Sequence, residues 1–118
     1  MKNIYLINLE KRIEDNQKEN KKYFLKLNEV KNIIKDIVKK YDVEKIVMFG
    51  SALNEEKFNS KSDLDIGIIG LKKQEDFFKL YRDLDINLDF KIDLFDLDDD
   101  ENFKKIVLQK CEVLYENI

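Results

Sequence analysis

The sequence has 118 residues, of which 43% are hydrophobic and 40% charged, and its formal net charge is -3. A chain of this length forms one compact domain with a buried core. The apolar content excludes a disordered tail, and the near balance of 22 basic and 25 acidic residues gives no electrostatic footprint for duplex DNA. We expect a single domain over 1–118, located in the cytoplasm, with 1–26 as a helical extension.

The residue types that are scarce exclude several kinds of chemistry. Histidine is absent, so catalytic triads and imidazole metal sites cannot form. The single cysteine, Cys111, excludes an internal disulfide and a cysteine-ligated zinc site, and we interpret it as a small core residue. No apolar stretch approaches the roughly 18 residues of a membrane span, and Met1–Leu9 is too short for a signal peptide. Any metal here needs oxygen ligands, as Mg²⁺ does.

The first third of the chain is predicted to be one helix, from about Leu9 to Tyr41. Its first half, 11–22, is almost entirely charged or amide, which is typical of a solvated face. Its second half carries one apolar stripe at alternating spacings of three and four residues, formed by Leu27, Val30, Ile34, Ile37 and Tyr41.

Three strands and two further helices are predicted after it. The strands are Lys45–Phe49, Asp63–Ile69 and Asp89–Phe95, and the last of these is expected to point Phe90, Ile92 and Leu94 inward. One helix, Gln74–Leu84, would bury Phe77, Phe78, Tyr81 and Leu84, which favours core over a base-stacking platform. The other, Asn102–Lys110, would bury Phe103, Ile106 and Val107, and the apolar tail Val113–Tyr115 follows it. The pattern predicts an α/β (α+β) fold, a small mixed β-sheet with helices packed on one face.

The carboxylates occupy unusual places. Asp63 and Asp65 lie at i and i+2 on one face of a predicted strand, and Asp93 lies in another. Like charges so arranged repel unless a cation lies between them. If the two strands are neighbours, the three side chains form an all-oxygen site for one or two Mg²⁺ ions. Asp89 or Asp96 remains an alternative third ligand, and Asp89 shares the face of Asp93.

A candidate phosphate cradle precedes the carboxylates. Gly50-Ser51 follows an apolar strand directly. Glycine lets the backbone approach a ligand closely, and the Ser51 hydroxyl adds a donor for a phosphate oxygen.

These residues carry a family resemblance. Phe49-Gly50-Ser51, then eleven residues (52–62), then Asp63-Leu64-Asp65 resembles the signature of the polymerase-β-like nucleotidyltransferases, and most closely their minimal (MNT) branch. Lys91–Phe95 is similar to the later strand that carries the third aspartate, and the ending Ile106–Glu116 is similar to the end of the minimal domains. The resemblance covers roughly Val30–Glu116.

The resemblance implies a function and roles for these residues. Asp63 and Asp65 would bind both metals, Asp93 would bind the catalytic metal and help to deprotonate the acceptor, and Gly50 and Ser51 would hold the terminal phosphates of an NTP. The implied reaction transfers a nucleoside monophosphate, in the first instance AMP from ATP with two Mg²⁺ ions, to a hydroxyl group. The implied partner is the HEPN toxin of a HEPN–MNT toxin–antitoxin pair, adenylylated on tyrosine, or a second copy of the chain.

The sequence departs from the family pattern after Ser51. Ala52 and Leu53 stand where many minimal members carry a basic residue, and Lys57 or Lys61 would have to replace it. This departure favours the alternative that the chain is a nucleotide-binding module that neutralises a partner by binding. A free-standing transferase acting on RNA ends or on a small molecule is disfavoured, because no basic groove or aromatic-rich strand is present.

The acidic run Asp96–Glu101 suggests a calcium loop but does not fit one. Counted from Asp96, the sixth position is Glu101 instead of glycine and the twelfth is Val107 instead of glutamate. We interpret the run as the cap and acidic first turn of the last helix.

Overall fold

Residues 4–117 are described by a computed structural model, in which three helices surround a single four-stranded sheet. The elements are α1 (Ile4–Val38), β1 (Lys45–Phe49), β2 (Leu64–Ile69), α2 (Asp76–Asn87), β3 (Ile92–Asp96), α3 (Glu101–Gln109) and β4 (Glu112–Glu116). Short 3₁₀ turns, Gly50–Leu53 and Leu97–Asp99, follow β1 and β3. The predicted fold class is confirmed. Of the predicted extension 1–26, residues 1–3 lie outside the described part.

The strand order β3-β2-β1-β4 determines where the chain can build a site. β1 runs antiparallel to β2 and to β4, whereas β2 and β3 are parallel. The carboxyl end of β1 therefore lies at the same end of the sheet as the amino ends of β2 and β3. Gly50, Asp65 and Asp93 all lie at this end.

The sequence pattern did not predict the fourth strand. Residues 113–115 were expected to be an apolar tail, but they belong to β4, which pairs with β1 through Lys45↔Glu116 and Ile46↔Tyr115. Leu114 is the buried residue of this strand. A five-residue strand with one buried side chain has no clear alternation, so its partner strand decides its structure.

One face of the sheet carries the larger core. The stripe of α1 packs there as predicted, through Leu27, Val30, Ile34 and Ile37, together with Leu80 and Leu84 of α2. The sheet contributes the alternate residues Ile46, Met48, Leu64, Ile66 and Ile68. Residues 11–18 of α1 are exposed, as expected for a solvated face.

The opposite face carries a second cluster, and this differs from the expectation of helices on one face only. Val107 of α3 packs there with Val47 and Leu97. Gly67 makes the contact possible, because a Cβ at this position would lie 2.5 Å from Leu97 Cδ1. The rings of Phe49, Phe95 and Phe103 adjoin the cluster, with centroids 5.5 to 5.9 Å apart.

Several predicted core side chains point outward instead. Phe78 is 76% exposed, Ile106 is 64% exposed and Tyr81 is 37% exposed. In α2 the buried positions are Leu80 and Leu84, so the helix is rotated away from the predicted aromatic face. The predicted stripe is confirmed at Leu84, which is buried, and at Phe77, which packs partly buried against the core. It is wrong at Phe78 and Tyr81, because the aliphatic Leu80 takes the buried position instead.

Several boundaries also differ from the prediction, among them the end of α1, which lies at Val38 instead of Tyr41. α1 begins at Ile4 instead of Leu9, and β3 begins at Ile92 instead of Asp89. None of the helices within residues 4–117 combines the length and the apolar character that crossing a lipid bilayer requires.

Candidate active site

One row of the sheet brings together residues that are distant in the sequence. Phe49 pairs with Asp65 across the antiparallel β1–β2 ladder, and Asp65 pairs with Asp93 across the parallel β2–β3 ladder. Paired residues on neighbouring strands project from the same face of a sheet. Asp65 and Asp93 are therefore neighbours on one face, as the sequence predicts.

Asp65 lies among other negative charges. Burial, and after it the negative charges of Asp93 and Asp63 and a side-chain hydrogen bond with Asp93, together raise the pKa of Asp65 to about 6. A carboxylate whose ionised form is disfavoured in this way is stabilised when a cation approaches.

Gly50 forms the wall of the site beside Asp65. Its φ is +75°, a left-handed conformation that glycine adopts without strain. A Cβ at Gly50 would overlap Oδ2 of Asp65. The bare backbone thus lies directly against the carboxylate, and the 3₁₀ turn that contains the half-buried Ser51 begins at the same point.

Asp63 lies near enough to Asp65 for its charge to raise the pKa of that residue, but it also lies beside a cation. It precedes β2, and its Oδ2 is 3.8 Å from Nζ of Lys91, an exposed side chain. Across residues 4–117, no three acidic or cysteine side chains are close enough together to form a ready metal cage. Asp63 would have to leave Lys91 to join a cation at Asp65 and Asp93.

The donor set fits a divalent cation such as Mg²⁺. All three candidate ligands are carboxylates, the oxygen donors that hard cations prefer. Asp65 and Asp93 are already adjacent, and the pKa of Asp65 is raised by burial and by neighbouring negative charge, which such an ion would neutralise. These residues would therefore suit such an ion if Asp63 moved from Lys91 to join them.

The alternative third ligands lie elsewhere. Asp96 pairs with Ile68 at the other end of β3, and its Oδ1 accepts a hydrogen bond from the Asp98 N–H. Asp89 is exposed and lies before the start of β3. Of the three, only Asp93 is in register with Asp65.

The loop 54–62, between the two halves of the site, is held by contacts that the sequence analysis did not identify. Phe58 is fully buried and packs on Phe90, with ring centroids 5.4 Å apart. Ser60 Oγ donates to Glu19 Oε1 at 2.7 Å, and Asn20 Nδ2 donates to the Glu56 carbonyl at 2.7 Å. A single aromatic residue inside a polar loop was the available signal for Phe58.

Lys91 is a site neighbour that the sequence pattern indicated only as a strand residue. Lys57 and Lys61, the cations expected to compensate for Ala52 and Leu53, are both exposed in the loop. Lys91 instead lies beside a site residue, the carboxylate of Asp63. The sequence offered one indication of this position, because Lys91 lies two residues before Asp93 and therefore on the same face of the predicted strand.

The acidic run after β3 has the predicted capping role. Asp100 caps α3, its Oδ1 accepting from the Phe103 N–H at 3.1 Å, and Asp96 caps the preceding 3₁₀ turn. Cys111 is partly buried against the second cluster, in agreement with its interpretation as a core residue.

The chain matches a known protein family. Residues 31–117 match the sequence model of the family described as "Polymerase beta, Nucleotidyltransferase". The match includes the whole sheet and every candidate site residue, whereas most of α1 precedes it. No curated protein matches the chain.

Proposed function

This chain belongs to the polymerase-β nucleotidyltransferase family, whose activity is of the nucleotidyltransferase type, and we propose that it transfers AMP from ATP to a hydroxyl group with the help of Mg²⁺. The observation that carries the proposal is that Gly50, Asp65 and Asp93 lie next to one another at one end of the sheet. A close backbone approach beside paired carboxylates is what binding a metal-bound triphosphate requires.

Each residue has a role in this reaction. Asp63, Asp65 and Asp93 would hold two Mg²⁺ ions, and Gly50 and Ser51 would bind the terminal phosphates of ATP through the backbone and the Ser51 hydroxyl. Divalent ions supply neutralisation of the negative charge that develops on the attacking and leaving oxygens.

The transfer itself is a substitution at phosphorus. The acceptor oxygen bonds to the α-phosphorus, the bond from that phosphorus to the bridging oxygen of the β-phosphate breaks, and pyrophosphate leaves. The acceptor proton passes to the carboxylate of Asp93. Asp93 suits this task because it lies at an edge strand of the sheet, where an acceptor can approach.

We propose that the acceptor is a tyrosine of a partner protein, a HEPN-type toxin, and that the chain acts as its antitoxin in the cytoplasm. The support is the resemblance of Phe49–Ser51 and Asp63–Asp65 to the minimal branch of the family. A second copy of the chain is the other candidate partner.

A second candidate function is binding without catalysis. Two observations favour it: Ala52 and Leu53 follow Ser51 in place of a basic residue, and Asp63 is paired with Lys91 instead of converging with the other carboxylates. A module of this kind would retain nucleotide and neutralise its partner by covering it.

Label transfer separates the two functions. The chain is incubated with α-labelled ATP, Mg²⁺ and the candidate acceptor protein, alongside Asp65→Asn and the matched variant Asp85→Asn, which changes an exposed aspartate of α2. Transfer by the wild type and by Asp85→Asn, lost in Asp65→Asn, supports the enzyme. Tight partner binding with no transfer by any of the three supports the binding module.

A further inference from the structure

A groove crosses the outer edge of β3 in the carboxyl-terminal half of the strand. It has a volume of about 590 Å³ and is lined by Phe77, Phe78, Leu94, Phe95, Asp99 and Phe103, among others. Leu94 packs with the larger core and Phe95 with the second cluster, on opposite faces of the sheet. A cavity that touches both must run across the edge of the strand. We call it the β3-edge groove.

The edge of β3 is open to another strand. Within residues 4–117, β3 is the last strand on its side of the sheet. The Leu64 N–H donates to the Lys91 carbonyl, so Lys91 and Asp93 direct their backbone groups toward β2. Alternation then directs the N–H and C=O groups of Ile92 and Leu94 outward, where an added strand would pair with them.

The walls of the groove indicate which side chains an added strand would carry. Phe78 is 76% exposed at the rim, and Phe95 and Phe103 lie deeper. Its charged lining residues are all acidic, namely Asp96, Asp99 and Asp100. Asp96 and Asp100 are engaged in capping bonds, and Asp99 is exposed. An apolar residue flanked by lysine or arginine is complementary to these walls.

The position of the groove relative to Asp93 suggests what the strand would deliver. Asp93 and Phe95 are two residues apart on one face of β3, about 7 Å along the strand. A strand added to this edge lies about 4.8 Å from β3, so a side chain opposite Asp93 reaches its carboxylate.

We propose that the β3-edge groove binds an extended, basic segment of the acceptor protein as an added β-strand, which presents its hydroxyl to Asp93. The inference rests on the proposed transferase function for the role of the hydroxyl. The docking itself requires neither nucleotide nor metal.

The test is a binding measurement made without ATP and Mg²⁺. The probe is a fluorescein-labelled synthetic peptide in which lysines alternate with valines on both sides of one tyrosine, followed by fluorescence anisotropy. We expect a Kd below about 1 mM, and binding at least about tenfold weaker for the same peptide with glutamate at every lysine. Two further peptides are methylated at alternate backbone nitrogens, one at the odd-numbered positions and the other at the even-numbered positions. One of them should no longer bind, because its methyl groups replace the N–H groups that pair with β3, and the other should still bind.

Matched variants locate the binding. Asp99→Lys and Phe78→Ser should each weaken it by about tenfold. Asp85→Lys and Ile86→Ser change exposed residues of α2 that do not line the groove, and they should leave it unchanged. Absence of binding, equal binding of both peptides, or equal effects of the groove and control variants would overturn the proposal.

The two proposals fail separately. If the peptide binds as expected but no label transfer is found with any acceptor, the groove stands and the transferase function is wrong. If label transfer to a protein acceptor is found and Asp99→Lys neither slows it nor weakens peptide binding, the groove proposal is wrong and the transferase stands.

Discussion

Oδ2 of Asp65 fills the space that a Cβ on Gly50 would need. The relationship places the candidate phosphate half of the site directly against its candidate metal half. It also makes the absence of a side chain at residue 50 a requirement for the position of the carboxylate.

Gly50→Ala should therefore damage the site as well as the fold. The left-handed φ of +75° strains any other residue, and the new Cβ displaces the Asp65 carboxylate. We expect a loss of about 2 kcal/mol in the free energy of unfolding, together with loss of the Mg²⁺-ATP-induced rise in Tm. Thermal unfolding with and without Mg²⁺ and a non-hydrolysable ATP analogue measures both.

Gly70→Ala is the matched control for this variant. Gly70 has a φ of +72°, and a Cβ there would collide with Glu44, away from the site. It should lose similar stability and retain the ligand-induced rise in Tm. An equal response of the two variants to the ligand would contradict the role assigned to Gly50.

Asp65→Asn should stabilise the metal-free protein while removing its function. The substitution removes a partly buried charge that lies beside Asp93 and Asp63. A pKa raised to about 6 corresponds to a destabilisation that partial exposure reduces to about 1 kcal/mol. Urea unfolding in the presence of a chelator should show this gain. Added Mg²⁺ should stabilise the wild type and leave the stability of the variant unchanged. If the variant is less stable than the wild type in the chelator, the proposed cost of the Asp65 charge is wrong.

The same carboxyl predicts a pH dependence. The pKa of Asp65 is about 6 in the folded chain against an ordinary value of 3.8, so the folded chain binds this proton more tightly than the unfolded chain. The group therefore destabilises the fold above about pH 6, and this effect disappears as the pH falls toward about 4. The stability difference between Asp65→Asn and the wild type should be largest at pH 7 and shrink over this interval.

Asp98 acts in the opposite direction and does not disturb that comparison. Its hydrogen bond with Lys104 lowers the pKa of Asp98, so its contribution to stability is present above its ordinary pKa and is lost as the pH falls through its lowered value. Because both proteins carry Asp98, its effect cancels in the difference. A difference that stays constant from pH 7 to pH 4 would exclude Asp65 as its origin.

Phe58→Ala tests the anchoring of the loop between the two halves of the site. The ring is fully buried against Phe90, so its removal leaves a cavity and should lower the free energy of unfolding by about 3–4 kcal/mol. Phe78→Ala removes the same group from a position that is 76% exposed, and it should change stability by less than about 0.5 kcal/mol. Urea unfolding of both variants gives the comparison.

The parts of the fold that the sequence predicted are those with strong periodicity. The α1 stripe Leu27–Ile37 and the alternation of β2 each specify one buried face without help from the rest of the chain. β4 and the rotation of α2 were not predictable in this way, because pairing with β1 and the choice of Leu80 over Phe78 are decided by tertiary packing.

The candidate site followed the same division. The pairing of Asp65 with Asp93 could be predicted, since aspartates inside strands are rare and the spacing from Gly50-Ser51 resembles that of a known family. The ion pair of Asp63 with Lys91 and the anchor Phe58 could not, because both depend on where the loop ends come to rest in three dimensions.

The mixed direction of the strands has a consequence for how the chain acquires activity. Gly50, Asp65 and Asp93 belong to three separate strands or strand ends, and they become neighbours only when β1, β2 and β3 are all docked. The candidate site is consequently absent from a newly synthesised chain until its third strand has emerged and paired. Under the proposed function, nucleotide and metal binding would therefore report the docking of these three strands.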